Sequence, residues 1–316
     1  MNLASFIGQR FVHSGRLGRK FWSLPRKLLI YALGDPACSL GIHGRNMQLP
    51  LSHSLPGYLA DLPLYDRLPR RLSQFVKRDS QSLTVIDVGA NIGDTIAAFY
   101  TDPRDRFLAI EPDPHFRKFL QANWGSNPNV TIISDLCSSE SLQGTFRIQE
   151  KNGTASLVPS TDGLAMQSRT LDDILVEHAF AQQADILKVD TDGHDFKVLA
   201  GARRLIQDRQ PIVLFECAPF GNPNYPQDVL STLSSFAQAD YQDCLIYTNR
   251  GALIGNFSLG DLSSIENLLF YQCLTDSLYY DILVMPPKVF GDFHRQELDF
   301  FRAMMPVPTM RWKGHR

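Results

Sequence analysis

The stretch Val85-Ile-Asp-Val-Gly-Ala-Asn-Ile-Gly-Asp-Thr95 reads as a buried strand, a turn holding Gly89 and Gly93, and the first turn of a helix carrying Asp94 and Thr95. Glycine lets a backbone bend sharply and come close to a ligand. The helix that follows offers unpaired N–H groups to an anionic or carboxylate moiety. A second strand ends at Ile110, and Glu111 stands 24 positions after Asp87, where an acid is placed to accept hydrogen bonds from ribose hydroxyls. A G-x-G-x-x-G dinucleotide loop needs a middle glycine to clear pyrophosphate, and Asn91 occupies that place. The pattern suits an adenosyl ligand without pyrophosphate. An NAD(P)-linked oxidoreductase is the alternative, and glycines serving only a tight turn are the plain one.

Outward from this loop, short apolar runs alternate with helical stretches. Strands are expected at Thr84–Val88, Phe107–Ile110, Val130–Ile133, Ile186–Val189 and Ile212–Phe215, and helices at Asp94–Tyr100, Pro114–Trp124, Leu171–Ala179 and Asp195–Ile206. That alternation predicts βαβ units and a parallel sheet buried on both faces. The tail differs. Asp243–Thr248 and Ala252–Phe257 flank Asn249-Arg250-Gly251, a hairpin turn, and Tyr280–Met285 is a further strand, so the sheet is expected to finish with antiparallel strands. Upstream, Leu68, Leu72, Phe75 and Val76 place a helix within Tyr65–Lys77. Pro and Gly between Gly34 and Leu64 predict short extended pieces and turns.

Composition limits what such a chain can do. With 44% hydrophobic and 20% charged residues over 316 positions, a sizeable core is expected and disorder is excluded. Lys and Arg number 31 against 33 acids, which gives no chain-wide reason to bind nucleic acid. Cys38, Cys137, Cys217, Cys244 and Cys273 are scattered and odd in number, which reads as reduced thiols in a cytoplasmic protein. No run is long and apolar enough to span a membrane. The first 35 residues stand apart, with Arg10, Arg16, Arg19, Lys20, Arg26 and Lys27 against Asp35 alone. Phe6, Ile7, Phe11, Val12, Leu17, Phe21 and Trp22 interleave near helical spacing. Such a segment lies on an anionic membrane surface or packs its apolar side on the main domain; the second is expected.

The ordered set of D-V-G-A-N-I-G-D at 87–94, Glu111-Pro112-Asp113, Arg169-Thr-Leu-Asp-Asp-Ile-Leu175, Leu187-Lys-Val-Asp-Thr-Asp-Gly-His-Asp-Phe-Lys-Val-Leu-Ala-Gly-Ala202 and Pro211-Ile-Val-Leu-Phe-Glu216 resembles the FkbM-type methyltransferases. The resemblance covers residues 83 to 220 or so and departs after Asp190, where V-E-G-A-E is commoner and Thr191-Asp192-Gly193-His194-Asp195 stands here. It implies an S-adenosylmethionine-dependent enzyme that methylates a hydroxyl oxygen, on a sugar, glycan or glycosylated metabolite. It implies an α/β class I methyltransferase fold, Rossmann-like, with a mostly parallel sheet and antiparallel C-terminal strands. Residues 64–316 would form that domain and 1–63 a helical and irregular extension. It also implies that Asp87, Gly89, Ala90, Asn91 and Gly93 belong to the cofactor loop, with Gly89 to Gly93 wrapping the methionine part. Glu111 would hold the ribose, Asp135 the adenine amino group, and Leu136 would lie against the ring.

Ligands of open α/β sheets sit beyond the carboxyl ends of the strands. Asp190 ends the fourth strand and Glu216 the fifth, beside a loop with Asp192, His194 and Asp195. Asp190 or His194 could be a general base, with a like-charged neighbour raising a carboxylate pKa. Asp190, Asp192 and Glu216 could instead hold a divalent cation such as Mg²⁺ or Ca²⁺. Asp195 reads as a helix cap, and Lys188 as a partner for these acids. Acceptor contacts are expected from Met47–Tyr58, Gln149–Leu157 and Pro219–Tyr225. A non-catalytic adaptor docking through the basic N-terminus is the rival of another class.

Overall fold

The computed structural model describes residues 2–151, 154–159, 164–219, 222–275 and 279–305, with backbone alone at 16 and 143–166. In chain order, helices α1 (Leu3–His13) and α2 (Arg16–Leu33) lead into strands β1 (Ala37–Ile42) and β2 (Arg45–Pro50), then helices α3 (Leu55–Asp61) and α4 (Leu68–Val76). Next come β3 (Thr84–Val88), α5 (Asp94–Phe99), β4 (Arg106–Ile110), α6 (Pro114–Trp124), β5 (Val130–Ile133) and β6 (Leu136–Cys137). Strands β7 (Leu142–Lys151), β8 (Thr154–Pro159) and β9 (Leu164–Arg169) precede α7 (Leu171–Glu177), β10 (Ile186–Val189), α8 (Asp195–Ala200) and β11 (Ile212–Cys217). The chain finishes with α9 (Tyr225–Gln238), β12 (Asp243–Thr248), β13 (Leu253–Ser258), α10 (Ser263–Thr275), β14 (Tyr280–Val284) and α11 (Pro287–Met304).

The main sheet has the strand order β13-β12-β14-β11-β10-β3-β4-β5. Strands β5, β4, β3, β10 and β11 pair in parallel; β14 is antiparallel to both β11 and β12, and β13 is antiparallel to β12. The anticipated class I methyltransferase architecture, mostly parallel with antiparallel strands from the C-terminal part, is therefore what the chain adopts. Its strands alternate between two apolar faces. Ile86, Val88, Leu108, Leu187, Val189, Val213 and Phe215 belong to one buried cluster. Val85, Phe107, Ala109, Ile186, Ile212 and Leu214 belong to the other. A sheet buried on both sides needs such near-continuous apolar runs. The second cluster continues into Ala4, Leu40, Ile42, Leu49 and Leu55, so residues on either side of position 63 share one core.

Local readings are met or changed as follows. The Gly- and Pro-rich segment folds as the β1–β2 hairpin, whose turn residues His43 and Gly44 both have positive φ, and as the short helix α3. Helix α4 starts only at Leu68, where Pro69 supplies a first-turn residue that needs no N–H partner. The helix expected over Asp195–Ile206 is split: α8 stops at Ala200, Gly201 lies against the Ser138 carbonyl, and a π-helical turn follows at Leu205–Arg209. The segment Gln149–Leu157, expected as a loop, belongs to the β7–β8 pair of a small sheet ordered β6-β9-β7-β8; its positions 152–153 fall outside the described residues, as do 220–221 of Pro219–Tyr225.

Helix α2 also departs from expectation. Leu29 and Ile30 pack against the core, but Leu17, Phe21, Leu24, Leu28 and Tyr31 are exposed. Its main apolar stripe does not pack on the domain. No described helix is long and apolar enough to cross a membrane. All five cysteines are free thiols, and only Cys273 is exposed.

Candidate active site

The chain order of the sheet reverses between β3 and β10, and ligands of such sheets sit at that point. Gly89 follows β3 and Asp190 follows β10, and the two segments touch: a Cβ on Gly89 would lie 1.8 Å from the Asp190 carbonyl oxygen. With φ +82 as well, this position admits only glycine. The Gly89 and Ala90 N–H groups both donate to the Ile110 carbonyl, at 3.0 and 3.1 Å. The bend after β3 is thereby tied to the end of β4.

That tie brings Glu111 under the loop. One Glu111 oxygen accepts the Asn91 N–H at 2.7 Å and the other accepts the Asp113 N–H at 2.8 Å. Each oxygen keeps further lone pairs for a ligand. Burial pushes the Glu111 carboxyl up to about 7, with the two N–H groups pulling the other way. On the other side of Asn91, His53 accepts the Leu55 N–H at Nδ1, so its Nε2 carries the proton and donates to Asn91 Oδ1 at 3.2 Å. Burial lowers the His53 pKa, which keeps the ring neutral.

Two cavities open from this bend. The smaller, about 50 Å³, is lined by Gly89, Asn91, Glu111, Phe116, Asp135, Leu136 and others, including His194. The larger, about 190 Å³, is lined by residues from six separated segments, including Tyr58, Tyr65, Asp94, Lys188, Glu216 and Asp281. Gly89, Asn91, Asp190 and Asp192 belong to both walls. The smaller lies over the end of β4, and the larger opens toward β11 and β14.

The larger cavity is acidic. Asp66, Asp94, Asp190, Asp192, Glu216 and Asp281 line it, with Lys188 beside them. Lys188 Nζ lies 3.0 Å from Asp190 Oδ2 and 3.6 Å from Asp87 Oδ1. Burial works against its charge, but Asp190 and Asp87 outweigh it and hold the Lys188 pKa well above its ordinary value. Burial and the neighbouring Asp190, Asp195, Asp192 and Asp281 push the Glu216 pKa well up. Glu216 Oε2 is buried without a hydrogen-bond partner among the described residues. Burial raises Asp94 to about 7 and Asp281 to about 8, the latter helped by Asp190.

These features fit a family. A model described as Methyltransferase FkbM domain matches residues 87–242. Residues 87–242 therefore carry an FkbM methyltransferase domain. Among solved structures, an FkbM methyltransferase from Methylobacillus flagellatus KT is similar at 18% identity and a TM-score of 0.39, covering 77% of this chain and 54% of that one. The chain thus spans about half that protein's length. Precorrin-6y C5,15-methyltransferase from Geobacter metallireducens GS-15 (14% identity, TM-score 0.35, 68% and 87% covered) and TYW2 from P. horikoshii in complex with MeSAdo (12%, 0.35, 82% and 81%) are also similar. No curated protein matches the chain.

Within the FkbM domain, the expected cofactor residues separate into two sets. Gly89, Asn91, Glu111, Asp135 and Leu136 line the smaller cavity. Asp135 also pairs with Arg169 at 2.9 Å, so one of its oxygens is engaged. Asp87, Ala90 and Gly93 line neither cavity. Asp87 is fully buried in β3, behind Lys188, and burial raises it to about 6. Gly93 has φ +84 and leaves room for Trp124, whose Nε1 donates to its carbonyl at 2.9 Å. It thereby seats α6.

The expected catalytic residues separate as well. Asp190, Asp192 and Glu216 share the larger cavity. His194 instead faces the smaller one, with Nε2 3.3 Å from Ser138 Oγ, and burial lowers it to about 4. That position corrects its expected place in one cleft with Glu216. The cation reading is corrected too: among the described residues no three His, Cys, Asp or Glu side chains converge to hold a metal, and Asp190 is engaged by Lys188 instead. Asp195 does not cap α8 from outside; as its first residue it accepts the Thr191 and Gly193 N–H groups and pins the turn in front.

Sequence reading missed Asp281. It stands directly across from Glu216 in the β11–β14 register. The available signal was a lone acid in the apolar strand Tyr280-Asp-Ile-Leu-Val284. Asp66 and Asp94 were missed for another reason: neither lies at a strand end, and Asp66 reaches the cavity through a left-handed turn held by His43 at 2.6 Å.

Proposed function

We propose that this chain transfers a methyl group from S-adenosylmethionine to a hydroxyl oxygen, with a sugar, glycan or glycosylated metabolite as acceptor. The observation that carries the reading is the junction of two cavities at Gly89, Asn91, Asp190 and Asp192, with the Glu111 carboxylate in one and a wall of acids in the other. The residues fit the cofactor. Glu111 has two fixed oxygens for ribose hydroxyls, Leu136 and Phe116 offer apolar surface for the base, and Asp135 stands at the same wall.

When bound, S-adenosylmethionine supplies an electrophilic methyl group on a cationic sulfonium. The chain's own residues then do three things. The acids around the junction favour a positive charge there. The bend at Gly89 and the larger cavity align the acceptor for in-line attack, which contributes by orientation. Asp190, on the rim common to both cavities and fixed by Lys188, accepts the hydroxyl proton as the C–O bond forms and the C–S electron pair returns to sulfur.

The test is turnover. The chain is incubated with S-adenosylmethionine and a panel of sugars and glycosides, reading S-adenosylhomocysteine release and the methyl resonance of the product. An O-methyl product is expected; a methyl on nitrogen or carbon overturns the acceptor class. Absence of S-adenosylhomocysteine binding by calorimetry supports the adaptor reading instead.

A further inference from the structure

We infer that the outward face of α2 is a docking surface for an anionic lipid membrane. Leu17, Phe21, Leu24, Leu28 and Tyr31 recur at spacings of four and three, which places them on one side of a helix. Their exposures run from 60% at Leu28 to 92% at Tyr31. At 1.5 Å per residue the stripe is about 21 Å long. Contiguous apolar surface of this kind marks an interaction site, whereas single exposed leucines do not.

The helix is not a loose tail. Arg26 Nε donates to the Leu51 carbonyl at 2.9 Å, its guanidinium lies 4.6 Å from the Phe11 ring centre, and Arg19 pairs with Asp61. Leu29 and Ile30 face the core. The fold therefore holds the opposite side inward and presents the stripe to solvent.

Charge decides the occupant. Lys20 and Lys27 are exposed at the margin of the stripe, and no Asp or Glu occurs before Asp35. A second copy of the same helix would bring lysines to lysines with no acid to meet them. Anionic headgroups meet them directly, with Leu and Phe entering the acyl boundary and the lysine stems reaching back to the phosphates. Arg26 also donates to the His53 carbonyl at 3.4 Å, and His53 lines the larger cavity. A docked α2 thus sits one residue's contact away from the wall of the acceptor site. The inference stands on the helix alone and does not depend on the reaction proposed above.

The experiment is co-sedimentation of the full chain with phosphatidylcholine vesicles, with and without phosphatidylglycerol, at low and high salt. Binding is expected to need phosphatidylglycerol and to weaken with salt. Lys20→Glu with Lys27→Glu should cut binding by about fivefold or more per position, following about 1 kcal/mol for each basic residue near the surface. Phe21→Ser with Leu24→Ser should abolish it. All four side chains are exposed, so melting temperatures should stay at the wild-type value, which separates lost docking from lost folding. Failure of the wild-type chain to sediment with anionic vesicles overturns the inference. Equal binding to neutral vesicles, or a dimer in solution that the serine variant dissociates, overturns it equally.

Discussion

The two cavities meet along one edge yet are built in opposite ways. The smaller is assembled where neighbouring parallel strands end: the bend after β3, Glu111 and Pro112 after β4, the turn after β5 and the loop after β10. Its key polar group, Glu111, already has each oxygen engaged by a backbone N–H. The larger is assembled from distant segments and gathers acids; burial raises Glu216, Asp94 and Asp281, and Glu216 Oε2 lacks a partner. A cavity whose polar groups are satisfied is preorganised for one ligand. In the larger cavity the buried Glu216 Oε2 is a polar atom still able to take a ligand's donor. That contrast is why the proposed reaction puts the cofactor in the first and the acceptor in the second.

The comparison breaks most sharply at Gly89. Gly89→Val puts a side chain where the Asp190 carbonyl already lies and should eliminate S-adenosylhomocysteine binding, read by calorimetry; retained binding would mean that the two cavities do not depend on that contact. Asp190→Asn should lower kcat by roughly 10²- to 10⁴-fold, the range for a positioned acid–base group, while leaving S-adenosylhomocysteine affinity within a few-fold. A loss confined to affinity would move Asp190 from the acceptor side to the cofactor side.

A smaller effect concerns the support of the larger cavity. Glu297 is fully buried and accepts from Arg71 at 2.6 and 2.8 Å and from the Tyr247 hydroxyl at 2.9 Å. Glu297→Gln leaves the buried Arg71 charge uncompensated, which costs about 3 kcal/mol or more in such pairs. The midpoint in a urea melt should fall accordingly. Unchanged stability would show that the pair holds no more than a neutral contact.

A graded effect is in pH. Asp281 is raised to about 8 by burial first and Asp190 next. An acid with a raised folded-state pKa contributes stability that is full below its unfolded value, near 3.9, and is lost as pH rises through the folded value. The wild-type chain should therefore lose stability between about pH 4 and pH 8 from this group. Asp281→Asn should flatten that slope and melt higher than wild type at pH 8. An identical pH profile would place Asp281 in contact with solvent, outside the acid wall.

What could be read from the sequence follows the same division. Residues that act through a turn beside their own strand, such as Gly89, Asn91 and Glu111, carry their context with them, and so do the apolar runs that become β3, β4, β10 and β11. Asp66, Asp94 and Asp281 meet only because β14 inserts between β11 and β12 and the 62–69 segment folds over the strand ends; that is a consequence of tertiary packing that no spacing encodes. His194 lies apart from Glu216 because the turn pinned by Asp195 points it to Ser138. The stripe on α2 was visible as a period, but its direction was not, since an apolar side gives no sign of whether the fold or something else covers it.

The central claim is that the carboxylate at 111 holds a nucleoside in the smaller cavity. Calorimetric titration of wild type and Glu111→Ala with S-adenosylhomocysteine tests it most directly. Hydrogen bonds to a charged group are worth about 1.5–3 kcal/mol each, so the variant should bind at least roughly tenfold more weakly while circular dichroism stays unchanged. Equal affinity in the two proteins would contradict the account.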